Sequence, residues 1–375
     1  MDIHVPILTA IYNGSMDYAR RRRELNEALV RGKIDAFVIM HLPNVRYLLG
    51  FTGSAGVLVA LGGRLTFFTD GRYTAQAKQQ VQGARVVITK GPALAAAADH
   101  LKRSSRRSLR VGIEAEHMAV LLRSSLTKLL SKNVRLVETV GLVQKLRMVK
   151  DTDEIAHIRR AVDLGAELLP TAIKAIKPGT QETAVAAELE YAARTSGAEG
   201  MSFDTIVASG PRSALPHGKA STAPIARKGF VVLDYGVILA GYCSDMTRTV
   251  HVGRASREAR VMYDAVLEAQ LAAIAAVRAG VRVADVDRAA RSVLENSGLG
   301  KFFTHSTGHG VGLEIHEPPR IANGGDDVLQ SGMVITIEPG VYLPERGGVR
   351  IEDMVVVTDG GCDVLTPASK DWIEI

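Results

Sequence analysis

The chain has 375 residues, 46% of them hydrophobic, a size and composition that suit two packed globular domains. It contains no run of about 18 uncharged apolar residues, which excludes a membrane-spanning helix from the expectations. Its net charge of +6 is unevenly spread: residues 1–150 hold 24 Lys and Arg against 10 Asp and Glu, and residues 151–375 hold 22 against 30.

The opening stretch, "MDIHVPILTAIYNG", lacks a basic n-region and a full apolar segment, so no signal peptide is expected. Cys243 and Cys362 are the only cysteines, which fits thiols in a reducing compartment and a cytoplasmic protein. The basic runs at 20–23 ("RRRR") and 102–107 ("KRSSRR") raise the question of nucleic acid. Neither run interleaves aromatics for base stacking, so they are read as a solvated helix face or a surface docked on the acidic half.

Next come alternating elements. "DAFVIM", "GVLVAL", "LTFFTD" and "RVVIT" read as short strands, and "YARRRRELNEALVRG" and "GRYTAQAKQQVQG" as helices. "EAEHMAVLLRSSLTKLLSK" adds a helix before "RLVETV". This is an α/β domain. "GFTGSAG" at 50–56 lacks the GK[ST] ending of a phosphate loop and is read as structural. The texture changes at "KLRMVKDTDEIAHIRRAVDLGAELLPTAIKAIKPG", a long amphipathic pattern with acids near its start. The boundary is therefore set near 145, giving domains of 1–145 and 146–375.

The second domain carries an internal repeat. "PGTQETAVAAELEYAARTSG" (178–197) matches "AGVRVADVDRAARSVLENSG" (279–298), with Gly179 and Gly280, and Gly197 and Gly298, each 101 residues apart. Each copy is followed by a glycine-flanked β run that ends in an acid, "GFVVLDYG" and "GMVITIEPG". Duplicated halves predict a pseudo-twofold fold with a site between them.

Asp234 and Glu338 end those two strands, and Asp245 and Glu352 lie on the returning runs "GYCSDMTRTVHV" and "GGVRIEDMVVV". Opposed strand residues lie about 5 Å apart, so two facing hairpins would gather four carboxylates. Buried together they need compensation, and divalent cations supply it. His309, in "STGHGVGLEIHE", adds one nitrogen donor, which tilts the expectation to manganese, cobalt, iron or zinc over magnesium or calcium. The glycines around it suggest a backbone cleared for close approach beneath the ions.

"DYGVILAGYCSDMTRT", "HSTGHGVGLEIHEPP", "TIEPGVY" and "GGVRIED" together resemble the creatinase/methionine aminopeptidase ("pita-bread") metallopeptidases, nearest to the Xaa-Pro branch of prolidase and aminopeptidase P. "NVRYLLGFTGSAG" and "FFTDGRY" extend the likeness into the first domain. The resemblance implies an α/β amino-terminal domain followed by an α+β pita-bread catalytic domain. It also implies two divalent metal ions, manganese first, bound by Asp234, Asp245, His309, Glu338 and Glu352. Asp245 and Glu352 would touch both ions. Glu338, His316 and His217 take catalytic positions, and Arg350, His305 and Tyr342 take substrate-contacting ones. The implied activity is hydrolysis of the Xaa-Pro bond at the amino end of dipeptides or short peptides by a homodimer, with no nucleic-acid or membrane partner. Two alternatives stay open: an aminopeptidase removing Met, Ala or other small residues, and a non-catalytic pita-bread binding module. His4, His41, His100, His117, His157 and His251 are read as surface or packing residues.

Overall fold

Helix Tyr18–Arg31 opens the described part of this computed structural model, which covers residues 16–104 and 108–375. The opening segment and His4 lie outside the described residues, as do the last three positions of the 102–107 run. A six-stranded sheet follows, in the order Arg85–Thr89, Arg64–Asp70, Val57–Leu61, Ala36–Ile39, Leu109–Glu114, Val134–Thr139. Ala36–Ile39 is central and buried at every position, because helices cover both faces. Each such large apolar side chain contributes roughly 1.5–3 kcal/mol by leaving water.

The basic run at 20–23 is only partly solvated. Arg21 is buried and its guanidinium lies 2.8 Å from Asp151 and 3.2 Å from Glu154, so part of the run docks on the acidic half. The predicted helix after "EAEHM" is shorter than read, Val120–Leu129. The single amphipathic run near the boundary is two helices, Leu142–Met148 and Thr152–Ala175. Asp151 separates them: it accepts from Glu154 N while Glu154 accepts from Asp151 N, a reciprocal cap that starts the second helix.

The repeat is visible in space. Helices Glu182–Thr195 and Val283–Asn296 begin and end 101 residues apart. Gly179 and Gly280 (φ 90° and 85°) precede them, and Gly197 and Gly298 (φ 96° and 75°) follow, all in the left-handed region where a Cβ is unfavourable. Each half carries a three-strand unit with the acid-ending strand in the middle. In one, Gly229–Tyr235 lies between Ile206–Ser209 and Met246–Val252; in the other, Val334–Ile337 lies between Gly308–Gly310 and Asp353–Val357. Strands Glu317–Ile321 and Cys362–Val364 widen the second sheet.

The returning strands differ from the expectation in one respect that matters. They are interrupted at the acids. Asp245 falls between Tyr242–Cys243 and Met246–Val252, and Glu352 between Gly347–Arg350 and Asp353–Val357. At the second break Glu352 N donates to Thr247 O (3.2 Å), so the chain leaves its own ladder and ties the two sheets together. Behind them, residues 368–375 run over strand Met246–Val252. His251 N donates to Ile373 O, Ile375 N to His251 O, and the buried Arg248 donates to Ala368 O and Ser369 O. Cys243 and Cys362 are both free thiols. Among the described residues no helix is long and apolar enough to cross a membrane.

Candidate metal centre

Nine of the ten residues singled out by the sequence line one cavity of about 900 Å³ in the catalytic half. The tenth, Tyr342, sits behind Arg350, its hydroxyl accepting from that guanidinium at 2.7 Å. One donor atom each from Asp245, His309 and Glu352 lie within 4.8 Å of one another. His309 Nε2 stands 3.5 Å from a carboxylate oxygen of Asp245 and of Glu338.

The carboxylates are held from behind. Thr247 Oγ1 donates to Glu352 Oε2 (2.7 Å), Thr336 Oγ1 donates to Glu338 Oε1 (3.2 Å), and the Arg350 guanidinium grips Asp234 Oδ2. Asp234 Oδ1 and Glu352 Oε1 are buried and have no protein partner. A buried acceptor left unpaired costs about 1–3 kcal/mol, more when charged.

The crowding shows in the protonation of the cluster. Burial pushes Asp245 well above the usual carboxylate range, and Glu352, Asp234 and Glu338 push it further. Glu352 is raised in the same way, by burial and then by Glu338 and Asp234. Burial raises Glu338 to about 7. The cluster without cations therefore resists carrying its full negative charge at neutral pH. Burial lowers His309, which keeps the imidazole neutral; its Nδ1 lies 3.0 Å from Gly310 O, so Nδ1–H donates and Nε2 keeps its lone pair for the cluster. Four converging carboxylates, two with unpartnered oxygens, and one neutral imidazole fit a pair of divalent cations.

The surrounding imidazoles are distinct in setting. His316 is exposed, its ring 4.4 Å from that of His309, and partial desolvation together with His309 lowers its affinity for a proton. His305 is pushed down to about 4 by burial and by Arg350. It is therefore neutral, and the Tyr342 hydroxyl, 2.9 Å from His305 Nε2, donates to it. Arg350 spends most of its fork on protein: Thr247 Oγ1, Pro216 O, Tyr342 and Asp234. His217 lies in the loop after Pro216 and lines the cavity.

The glycines near His309 do not clear space for ions; they clear it for neighbouring chain. A Cβ on Gly308 would stand 1.9 Å from Thr336 O, on the strand that leads to Glu338. A Cβ on Gly312 would stand 2.7 Å from the Glu317 carboxylate. Close strand approach is what sets His309 against Glu338.

The chain matches the description "Metallopeptidase family M24" over residues 156–359 and "Creatinase/Prolidase N-terminal domain" over residues 21–149. It belongs to metallopeptidase family M24. This M24 peptidase is 41% identical to "Uncharacterized peptidase YqhT" of Bacillus subtilis over 340 residues, 91% of this chain and 96% of that one. It is 36% identical to a protein named "Xaa-Pro dipeptidase" from Pyrococcus horikoshii over 352 residues, 94% of this chain and 98% of that one. Its fold matches the solved structure titled "Xaa-Pro dipeptidase from Bacillus anthracis" with a TM-score of 0.92 at 39% identity, covering 96% of this chain and 100% of that chain. The creatinase-type first domain and the pita-bread second domain are thus as the sequence led us to expect.

Sequence reading did not find Thr247 and Thr336, which anchor Glu352 and Glu338. A signal exists in both halves: "DMT" and "TIE" each set a threonine two residues from an acid. It also missed Arg147, Lys150 and Glu317, whose contacts join distant parts of the chain.

Proposed function

We propose that this M24 peptidase hydrolyses the bond preceding proline at the amino end of dipeptides or short peptides, with two divalent cations held by Asp234, Asp245, His309, Glu338 and Glu352. The observation that carries the reading is the pair of buried, unpartnered oxygens, Asp234 Oδ1 and Glu352 Oε1, beside a neutral His309. The relatives named Xaa-Pro dipeptidase support the proline preference. Bound there, the cations supply Lewis-acid polarisation of a carbonyl and a water acidic enough to attack at neutral pH.

The protein's own groups do the rest. Asp245 and Glu352, whose donor atoms lie within 4.8 Å of each other and of His309, would be shared by the two cations, while Asp234 would hold one and His309 and Glu338 the other. Glu338, with one oxygen anchored by Thr336, carries a proton on the other toward the leaving nitrogen. His316, with His217 nearby, donates to the oxyanion that forms on the carbonyl. An Xaa-Pro bond has no N–H to grip. The Arg350, Tyr342 and His305 chain therefore faces the group beyond the proline, with the one guanidinium N–H that Arg350 has left.

Manganese is our first choice of metal, with cobalt, zinc or iron next, because the donors are mainly carboxylate with one imidazole. Two free cysteines support a reducing, cytoplasmic setting. A homodimer remains the assembly we propose. The test is a length series of Xaa-Pro peptides against Met-Ala peptides, each with several divalent ions. Cleavage confined to the proline series supports the reading. Cleavage of Met-Ala with none of the proline series overturns it in favour of a broader aminopeptidase.

A further inference from the structure

Four charged side chains meet where the two domains touch. Arg147 and Lys150 come from the segment that ends the amino-terminal half; Glu314 and Glu317 come from the glycine-rich turn that carries His316. Arg147 and Glu317 are almost fully buried. The Arg147 Nη2 group pairs with Glu317 Oε1 and, at 2.8 Å, with Glu314 Oε2. Lys150 Nζ donates to Glu317 Oε2 at 3.1 Å, and Glu314 N donates to Glu317 Oε1 at 3.1 Å. Two positive and two negative charges balance, and Arg147, Glu314 and Glu317 are each held by more than one bond, the arrangement in which a buried ionic group tolerates desolvation.

The network continues into the amino-terminal sheet. Arg147 Nη1 donates to Asn44 Oδ1 (2.7 Å), and Asn44 Nδ2 donates to Glu114 Oε1 (2.6 Å) at the end of strand Leu109–Glu114. Glu114 Oε2 accepts from Met40 N and His41 N. His41 Nε2 lies 2.9 Å from Glu314 Oε1, and the His41 ring stacks on His117 at 3.6 Å. Leu313, between the two acids' turn and His309, packs into the amino-terminal apolar core. The turn is thus clasped on both sides by the first domain. Its far end, Glu317, pairs in register with Gly310, and Arg320 with His309.

We propose that Arg147 is a positioning residue: it ties the 312–317 turn to the amino-terminal domain and so fixes the His309–His316 pair over the cavity. Arg147 does not line the cavity, so cations and substrate do not meet its side chain in this role. The inference rests on the hydrolytic reading for its kinetic consequence, but not for its structural one.

The test compares R147M, R147K and the charge-balanced double variant R147M/E317M by hydrogen exchange and by kinetics. In R147M, amides of 306–317 should exchange at least about tenfold faster while strand Gly229–Tyr235 keeps its protection. With an Xaa-Pro dipeptide, kcat should fall roughly ten- to a hundredfold with KM nearly unchanged, since the misplaced imidazole acts in the transition state. R147K should recover part of both. In the double variant Lys150 loses its carboxylate partner, so K150M is added to leave no unpaired buried charge, Glu314 keeping His41; fast exchange at 306–317 should persist in that background. Parent-like protection of 306–317 in R147M or that background overturns the proposal, as does loss of protection spread evenly over the catalytic domain. A parent enzyme that cleaves no proline peptide would overturn the proposed function alone, because the exchange measurement needs no substrate.

Discussion

Replacing Thr247 by valine tests how the cluster is tuned. The change keeps the branched shape and removes one hydroxyl, at a position with no exposed surface. That hydroxyl donates to Glu352 Oε2 at 2.7 Å and accepts from Arg350 Nε at 3.1 Å. In the cation-free protein burial raises Glu352 well above its ordinary range, which favours its neutral form, so the hydrogen bond contributes less there. Cation binding requires the carboxylate, and a hydrogen bond to a charged acceptor contributes about 1.5–3 kcal/mol. The loss therefore falls on the loaded state, and affinity should drop about 10- to 100-fold, as for other groups that orient a metal ligand. Titration of the apo-protein with Mn²⁺ by calorimetry, with thermal melts of the apo form alongside, reads both sides. An unchanged affinity in a well-folded Thr247→Val protein would refute the argument that Thr247 selects the ionised Glu352.

Further outcomes follow from the same geometry. Because Asp245 and Glu352 are raised and Glu338 sits at about 7, cations must displace protons, so affinity should weaken as pH falls below about 7. Calorimetry in buffers of different ionisation enthalpy should register proton release on binding; none released would refute the protonated apo cluster. Asp245→Asn should lower the metal content after dialysis and abolish peptide cleavage, and full metal occupancy with normal turnover would remove Asp245 from the site. Burial alone would raise Glu314, but His41 and Arg147 bring it down to about 2. A carboxylate lowered by folding stabilises above its unfolded value and loses that contribution as pH falls towards its folded one. Glu314→Gln should therefore cost about 2 kcal/mol at neutral pH, after allowance for partial exposure, and flatten the stability loss between about pH 4.5 and 2. An unaltered acid limb in denaturant melts would show that the clasp is not made through that charge.

The repeat could be read from the sequence because its boundaries are conformational. Gly179, Gly197, Gly280 and Gly298 occupy left-handed positions that other residues avoid, and they leave a mark 101 residues apart. The interruptions at Asp245 and Glu352 left no such mark. Both acids sit inside apolar runs that look like unbroken strands, and the partner that breaks the ladder, Thr247 O for Glu352 N, is over a hundred residues away. Arg147 was equally silent: its acceptor Glu317 is 170 residues on, and nothing in "KLRMVK" distinguishes an inward arginine from a solvated one. The strand Leu109–Glu114 escaped notice because a strongly basic flank precedes its four buried positions. The glycines of 308–312 were found, but their reason was misassigned, because only coordinates tell a neighbouring strand from a ligand as the thing approached.

Residues 368–375 lie across strand Met246–Val252, and Arg248 reaches from that strand to the carbonyls of Ala368 and Ser369 at their start. As the chain leaves the ribosome, the amino-terminal sheet can bury its own core early. The catalytic half cannot: until residues 368–375 have been made, Arg248 would be buried without two of its acceptors. A nascent or truncated product that stops short of residue 368 thus already contains all five proposed cation-binding side chains yet lacks the fastening that squares the strand beside Asp245.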